Sequence, residues 1–450
     1  MQTRQMVDMT HGSITRLLIR FAIPMLIGNL FQQAYNLGDS MIVGHFLGSD
    51  ALAAVGATGS VTFLFFSICN GVGSGCGVVT AQSYGSGDAA LTRRAIANAA
   101  YIMFAAALVM GLAAFLAAPA VLRLMGTHPD ILEDATVYMR MSCLGVPLIA
   151  VYNYTSSMLR ALGDSRTPLY FLIFSSLLNL GLDVLFVRFF HMGVFGAALA
   201  TIIAQMISGA GCLIYALKCN PFFRMTRGDL QPDRRIIGKA VRIGLPMAFQ
   251  WSLIAISSTG LQTFVNSFGN TDVVAAYTAT NRIESLLHQP YGSISAAMAT
   301  FSGQNYGARS IDRVKGGLKH GGIIAGVYTL LMMLLFQLFS APVMHLFVKE
   351  EAVIAMGAQA MRLTSLFFPF LALIYLSRGV LNGVGDALFA LINGVVEVIC
   401  RIGLPLLIVL IPGVGCWSIW WTAGVTWGVS ALFCLLRYAS WRRRVSDGDR

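Results

Sequence analysis

Four carboxylates sit inside otherwise apolar stretches of this sequence: Asp39, Asp183, Glu284 and Glu397. An ionisable group in such surroundings is costly, so each is a candidate functional group. Depth sorts them. Asp39 lies five residues before the predicted outer end of the first helix, and Asp183 five before that of the fifth. Asn179 is one turn deeper on the same face as Asp183. Thr201 stands eight residues into the sixth helix and Tyr138 six into the fourth. At about 1.5 Å per residue, all five lie roughly 7–14 Å below one surface. Two carboxyls, an amide, a hydroxyl and a phenol meeting there would hold a proton or a small cation. Two adjacent carboxylates do not both stay ionised cheaply, which would tie protonation to the shape of the bundle. Alternatively, both acids lie near the interface and reach water, or Asp183 pairs with Arg188.

Other charged positions admit simpler roles. Glu397 and Arg401 are four apart with the acid first, the favourable order for a helical ion pair. Arg282 and Glu284 are two apart and face different sides of a helix, leaving Glu284 as a second titrating site or a partner for a neighbouring helix. Arg140 and Arg362 stand near helix ends, where long cationic side chains snorkel. Gly71, Gly73, Gly75 and Gly77 form a small-residue stripe suited to close helix packing. No nucleophile elbow, metal-ligand spacing or nucleotide-binding loop is present in the sequence. The expected reading is therefore not an enzyme, with no cofactor and no ATP-driven step.

These groups need helices to position them. Apolar residues make up 56% of the 450 and charged residues 11%, with mean hydropathy +0.70. Soluble domains carry roughly 25% charged residues, so a soluble globular domain is excluded, as are disordered and collagen-like chains. A spanning helix takes about 20 apolar residues. Twelve candidates follow from the apolar runs: 16–44, 51–78, 92–117, 132–156, 167–188, 193–218, 238–266, 273–301, 314–340, 353–377, 388–411 and 416–437. The runs are too long and too unalternating for barrel strands. The eight cysteines lie in or beside apolar runs and read as small buried residues. The N-terminus lacks the pattern of a cleaved signal.

The net charge of +11 reads as topology rather than as nucleic-acid binding. Both termini and every second loop carry 24 Lys and Arg, whereas the opposite loops carry 3: Arg123, Arg188 and Lys349. The bias predicts cytoplasmic termini and an even number of spans in a plasma (inner) membrane.

The sequence repeats at an offset of 222 residues. Pro24 recurs as Pro246, Gln82-Ser83-Tyr84-Gly85 as Gln304-Asn305-Tyr306-Gly307, Arg140 as Arg362, Pro147 as Pro369, and Gly163-Asp164 as Gly385-Asp386. Six helices per half make the repeats parallel, related by an axis along the membrane normal. The expected fold is an all-α membrane protein of twelve transmembrane helices in two six-helix bundles with a central cleft. An N-terminal lobe spans 1–218, a polar cytoplasmic linker 219–237, and a C-terminal lobe 238–450. Pro24 near the inner end of the first helix is placed to kink it.

At these residues the sequence resembles the multidrug and toxic compound extrusion (MATE) family. The resemblance is carried by Phe21–Pro24, Tyr35–Asp39, Gln82–Gly85, Gly163-Asp164, Asn179–Asp183, Gly196–Thr201 and Gln304–Gly307, in order across nearly the whole chain. It implies a twelve-helix secondary antiporter that exports cationic, often aromatic, compounds against an inward flow of H⁺ or Na⁺. It implies ion or proton coupling at Asp39, Asn179, Asp183 and Thr201, with Tyr138 beside them. A bound Na⁺, if used, would sit on those first four. Gln32, Tyr35 and Asn153 are similar to residues lining the family's first-lobe drug cavity, and Pro24 matches a position linked to bending of the first helix. One branch of the family has a coupling Glu in helix 7 and an Asp in helix 10. Here those helices offer Gln250, Gln262 and Tyr375 but no acid, so that second-lobe sodium site is not expected. Glu284, Glu397, Arg282 and Arg401 resemble another branch and stay secondary candidates.

The resulting expectation is an ion-coupled exporter of organic cations or amphiphiles working by rocking-bundle alternating access. Its partners would be small-molecule substrates and the lipid bilayer, not nucleic acid, and a monomer suffices. The rival reading is a flippase for lipid-linked precursors, which would need a lateral groove and a basic cavity.

Overall fold

A computed structural model describes residues 6–124 and 127–448. Among the described residues it is helical, with no strand. Twelve spans follow in chain order. They are α1 (Ile14–Leu47), α2 (Ser49–Gly85), α3 (Ala89–Leu124), α4 (Pro129–Ala161), α5 (Arg166–Asp183), α6 (Gly193–Cys219), α7 (Arg234–Asn266), α8 (Thr271–Gly307), α9 (Ile311–His345), the pair α10 (Glu351–Ser365) and α11 (Phe368–Gly383), α12 (Ala387–Ile408) and α13 (Ser418–Gly448). Nine helices are each long and apolar enough to cross a membrane, and α10 with α11 forms a tenth span bent by 53°, among the described residues. The protein is a multi-pass helical membrane protein.

Side-chain size explains which face of each helix points where. On α3, Ala107, Gly111, Ala114 and Ala118 are buried, while Leu108, Leu112 and Leu116 are more than half exposed. On α9, Gly317, Gly321 and Ala325 are buried, while Val327, Leu330, Leu334 and Leu338 are exposed. Large apolar side chains outside and small ones inside is the pattern a lipid solvent selects. Helix association there gains from close backbone approach rather than from the hydrophobic effect.

The 222-residue repeat has a direct structural counterpart. α2 and α8 are each 37 residues long and occupy the same positions at that offset. Gly163 and Gly385 both adopt φ +89°, closing the ends of α4 and α11. Left-handed backbone of this kind favours glycine, and at Gly163 a Cβ would also come within 2.1 Å of the Val7 carbonyl oxygen. Asp164 then opens α5 by accepting from the backbone N–H of Arg166 at 3.1 Å and of Thr167 at 3.0 Å. Its repeat partner Asp386 instead accepts two bonds from Arg437, at 2.8 and 3.1 Å.

The chain forms two compact units. The first comprises residues 6–11 and Ile23–Trp251 of the described chain, and the second Gly12–Ala22 and Ser252 onward. α1 therefore changes unit next to Pro24, and α7 changes unit after Trp251. α1 is continuous through Pro24. In the first unit, α4 packs on α2, α3 and α6, and α5 on α6. Gly71 and Gly75 of α2 admit α7 so closely that a Cβ would lie 2.3 Å from the Ala248 Cα and 2.4 Å from the Gly244 Cα. In the second unit, α8 packs on α9, α10 and α11, and α11 on α13.

The predicted spans differ from the observed helices in three instructive places. The tenth was expected unbroken over 353–377; it breaks at Leu366–Phe367 and resumes to Gly383. Pro369 stands in the first turn of α11, where it supplies no N–H to continue α10. Phe367 fills the break, its ring 5.9 Å from that of Trp421 on α13. The repeat-related Pro147 lies within α4, which stays continuous. The fourth and tenth spans also run past their predicted ends, drawing Arg160 and Arg378 from loops into helices. Finally, α5 ends at Asp183 in a widened π-type turn, Val184–Phe189.

The stretch after α6 is docked rather than free. Arg93 Nε donates to Asp229 Oδ2 at 2.9 Å, and Arg94 Nη2 to Asp233 Oδ2 at 2.7 Å. The Asp233 N–H donates to Asn98 Oδ1 at 2.8 Å, and the Tyr101 hydroxyl to the Leu230 carbonyl at 2.7 Å. The backbone N–H and hydroxyl of Thr226, with Arg93, hold the Asp229 carboxyl below its ordinary range.

Candidate functional site

The site in the first unit is assembled from four helices. α1 supplies Asp39 and Tyr35, α4 Tyr138, α5 Asn179 and Asp183, and α6 Thr201. Tyr35 precedes Asp39 by four residues, as Asn179 precedes Asp183, so each pair shares a helix face. The carboxyls of Asp39 and Asp183 are close neighbours. Asp183 is fully buried. Asp39 Oδ1 is buried without a hydrogen-bond partner. Asn179 Nδ2 donates to Thr201 Oγ1 at 3.1 Å, and that hydroxyl donates to the Ala197 carbonyl at 3.2 Å. The Tyr35 hydroxyl lies near Thr201 and near both carboxyls. Tyr138 lies near Asp39, Tyr35 and Asp183.

One end of this cluster is sealed. Val43, Ala51, Val187, Val194 and Ala197 form a buried apolar group with Tyr138, Leu47 and Val55 packed on it. Val43 follows Asp39 by four residues, Val187 follows Asp183 by four, and Ala197 precedes Thr201 by four. The plug therefore sits one helical turn from the carboxyls, on the Leu47 side. Toward the other end of α1, Gln32 Nε2 donates to Asn36 Oδ1 at 3.3 Å. The π-type turn after Asp183 adds a residue to the helical register there, a device common at functional sites.

The structure thus brings Asp39, Asp183, Asn179, Thr201, Tyr138 and Tyr35 together. It does not bring Asn153 to them: Asn153 is fifteen residues beyond Tyr138 on α4, about 22 Å along the helix. Gln32 lies two turns from Asp39, about 10 Å away. Pro24 is buried. Asp183 and Arg188 do not share an environment, since Arg188 is exposed. Two carboxyls in mutual contact, with an amide, a hydroxyl and two phenols around them, can bind and release a cation as small as a proton.

The second unit corrects one expectation. Glu397 does not pair with Arg401; its Oε1 accepts from Arg378 Nη2 at 2.7 Å and from Asn393 Nδ2 at 3.2 Å. Both charged side chains are buried, at 12% and 6% exposure. Arg401 Nη1 instead donates to Ser258 Oγ at 3.2 Å. Arg282 is exposed, whereas Glu284 Oε1 is buried without a partner. His288, four residues past Glu284, escaped sequence reasoning although its spacing offered the signal. Its Nε2 is likewise buried without a partner. No group of three or more His, Cys, Asp and Glu side chains arranged to hold a metal occurs among the described residues.

Comparison with known proteins decides the family. The MatE family pattern matches residues 24–185 and 246–407. The chain belongs to the MatE family. The two MatE matches begin and end 222 residues apart, the offset of the internal repeat. A probable multidrug resistance protein, YpnP of Bacillus subtilis, is 27% identical over 391 residues, covering 87% of each chain. A second from the same organism, YoeA, is 29% identical over 363 residues, covering 78% of this chain and 77% of the relative. Among solved structures, a MOP superfamily transporter from Pyrococcus furiosus superposes with a TM-score of 0.89 at 24% identity, over 100% of both chains. That likeness shows a shared fold for this MatE chain.

Proposed function

We propose that this MatE-family protein is a proton-coupled exporter of organic cations or similar amphiphiles. The observation that carries the proposal is the contact between the Asp39 and Asp183 carboxyls. Two carboxyls this close share one proton more readily than both stay ionised, which supports a proton as the coupled ion. When that proton leaves, two adjacent negative charges repel and favour a cation from another source. Substrate and proton then compete for one buried negative site, which is the differential affinity that exchange requires.

The surrounding groups have separable roles. Asn179 and Thr201, bonded to each other, add an amide and a hydroxyl beside the carboxyls. Tyr35 and Tyr138 present aromatic faces suited to cations. The apolar plug at Val43 and Val187 keeps water off the pair from one end. Gln32 lies on the path along which a substrate approaches. The two repeats rock to expose the site alternately, and Pro24 lies where α1 passes from one unit to the other. The bias of Lys and Arg toward the termini supports placing both termini in the cytoplasm of a cell with this protein in its inner membrane. One chain carries the complete site, so a monomer suffices.

Dye efflux from vesicles with imposed gradients tests the ion. An imposed pH gradient should drive ethidium transport and an equal Na⁺ gradient should not. Transport by Na⁺ at uniform pH would move the coupling to Na⁺ held by Asp39, Asn179, Asp183 and Thr201.

A further inference from the structure

The second unit holds two buried polar atoms that the proposed coupling site does not use. Glu284 Oε1 and His288 Nε2 are each buried with no hydrogen-bond partner. They are four residues apart on α8, so they lie on one face within reach of each other. Leaving either atom without a partner is costly in a buried site. The two costs fall on complementary groups: imidazole accepts a proton at the atom left bare, and a protonated carboxyl donates one.

The groups facing this pair make a site rather than an accident of packing. On α11, the Tyr375 ring centroid is 6.3 Å from that of His288, and on α13 the Trp427 ring is 6.0 Å away. From α10, the buried Thr364 hydroxyl lies near the Glu284 carboxyl and donates to the Met361 carbonyl at 3.4 Å. From α12, the Arg401 guanidinium is near enough to act on both Glu284 and His288. Tyr277, two turns earlier on α8, faces the same guanidinium.

The remaining charged groups nearby are already engaged. Arg378 of α11 is bound to Glu397 of α12. Arg362 of α10 donates to Ser340 Oγ of α9 at 3.0 Å. Tyr328 of α9 donates to the Leu287 carbonyl at 3.1 Å, and Tyr291 is bonded to Thr329 at 2.8 Å. Arg282 is on the exposed side of α8. Arg401 therefore offsets the charge of an ionised Glu284, and the carboxyl and the imidazole are the groups left to take up one proton.

We propose that Glu284 and His288 form a second proton-binding site, which takes up one proton between the carboxyl and the imidazole. It is separate from the Asp39–Asp183 pair. It does not depend on the coupling role proposed for that pair. The acid and the imidazole come from one helical turn, while the aromatic walls and Arg401 come from α11, α13 and α12. A change in packing of α8 against these helices would alter its proton affinity.

Trp427 provides the readout, because a protonated imidazole beside an indole quenches its fluorescence. The experiment titrates tryptophan emission against pH in the full-length protein in lipid nanodiscs. The starting protein carries Asp39→Asn and Asp183→Asn, which silences the first site. A one-proton step is expected in that background. It should vanish in His288→Gln and move by about 1 pH unit or more in Glu284→Gln, the shift produced by one charge at 4–6 Å. Proton uptake measured directly in unbuffered detergent solution should fall by one proton per chain in His288→Gln. The proposal is overturned if uptake is unchanged in both variants. It is also overturned if the step appears only when Asp39 and Asp183 are intact.

Discussion

Asp183→Asn removes one partner of the buried carboxyl contact while keeping size and shape. Asp183 is fully buried, and its neighbour Asn179 is held by Thr201, so the amide fits without rearrangement. The consequence lies in energetics. Each pH unit across the membrane supplies about 1.4 kcal/mol per proton. An exchange of one proton for one monovalent cation moves no net charge, so a gradient of about two pH units would sustain a concentration ratio of about 100-fold for substrate. With Asp183→Asn, Asp39 no longer shares a proton with a second acid, and proton and substrate stop competing for a paired site. The variant should equilibrate ethidium without concentrating it, so the sustained ratio collapses toward one. The assay is steady-state ethidium accumulation in proteoliposomes of known orientation, at equal protein density, with imposed gradients of zero, one and two units. The wild type should rise about tenfold per unit. If Asp183→Asn also rises tenfold per unit, the paired carboxyls do not power transport.

Further outcomes follow from other parts of the structure. Gly75→Val forces a side chain into a space where a Cβ alone lies 2.4 Å from the Gly244 Cα. It should cost about 1–3 kcal/mol, read as a lower unfolding midpoint in detergent, whereas valine at the unobstructed Gly238 should cost far less. Breaking the buried ion pair by Glu397→Gln removes the carboxylate that faces the Arg378 guanidinium and should cost about 3–5 kcal/mol. Replacing both residues with apolar ones of similar volume should recover most of that loss, measured by the same unfolding assay. The clamp of Arg93 on Asp229 makes a pH prediction. Because the folded carboxyl titrates below its unfolded value, its stabilisation is complete above about pH 4 and is lost as pH falls through the lower folded value. Hydrogen exchange of residues 226–233 should therefore stay slow to below pH 4, and Arg93→Gln should bring release to a higher pH.

What could be read from the residues, and what could not, has a physical pattern. The twelve spans and the 222-residue repeat were legible because apolar length and repeated turn residues are local signals. The Gly163–Asp164 and Gly385–Asp386 turns are examples. The convergence of Asp39, Asn179, Asp183 and Thr201 was legible because rise per residue converts sequence position into depth. Asn153 was not part of that convergence: it entered only through the family resemblance, and it lies far along α4 from Tyr138. Arg378 was hidden for another reason. A charge near the end of an apolar run reads as the start of a loop, and its partner Glu397 is nineteen residues away, beyond any local pattern. The break before Pro369 was likewise unreadable, because its repeat partner Pro147 leaves α4 intact. The difference comes from the wedge of Phe367 against Trp421, a tertiary contact. The docking of residues 226–233 onto α3 is also tertiary, and its polar composition suggests a free linker until Arg93 and Arg94 are seen beneath it.

The central claim is that Asp39 and Asp183 share a proton which substrate displaces. The direct measurement is proton release on adding ethidium to the purified protein in weakly buffered detergent solution. The account predicts close to one proton released per ethidium bound, abolished in both Asp39→Asn and Asp183→Asn. Ethidium binding with no proton released from the wild type, or with equal release from the two variants, would contradict it.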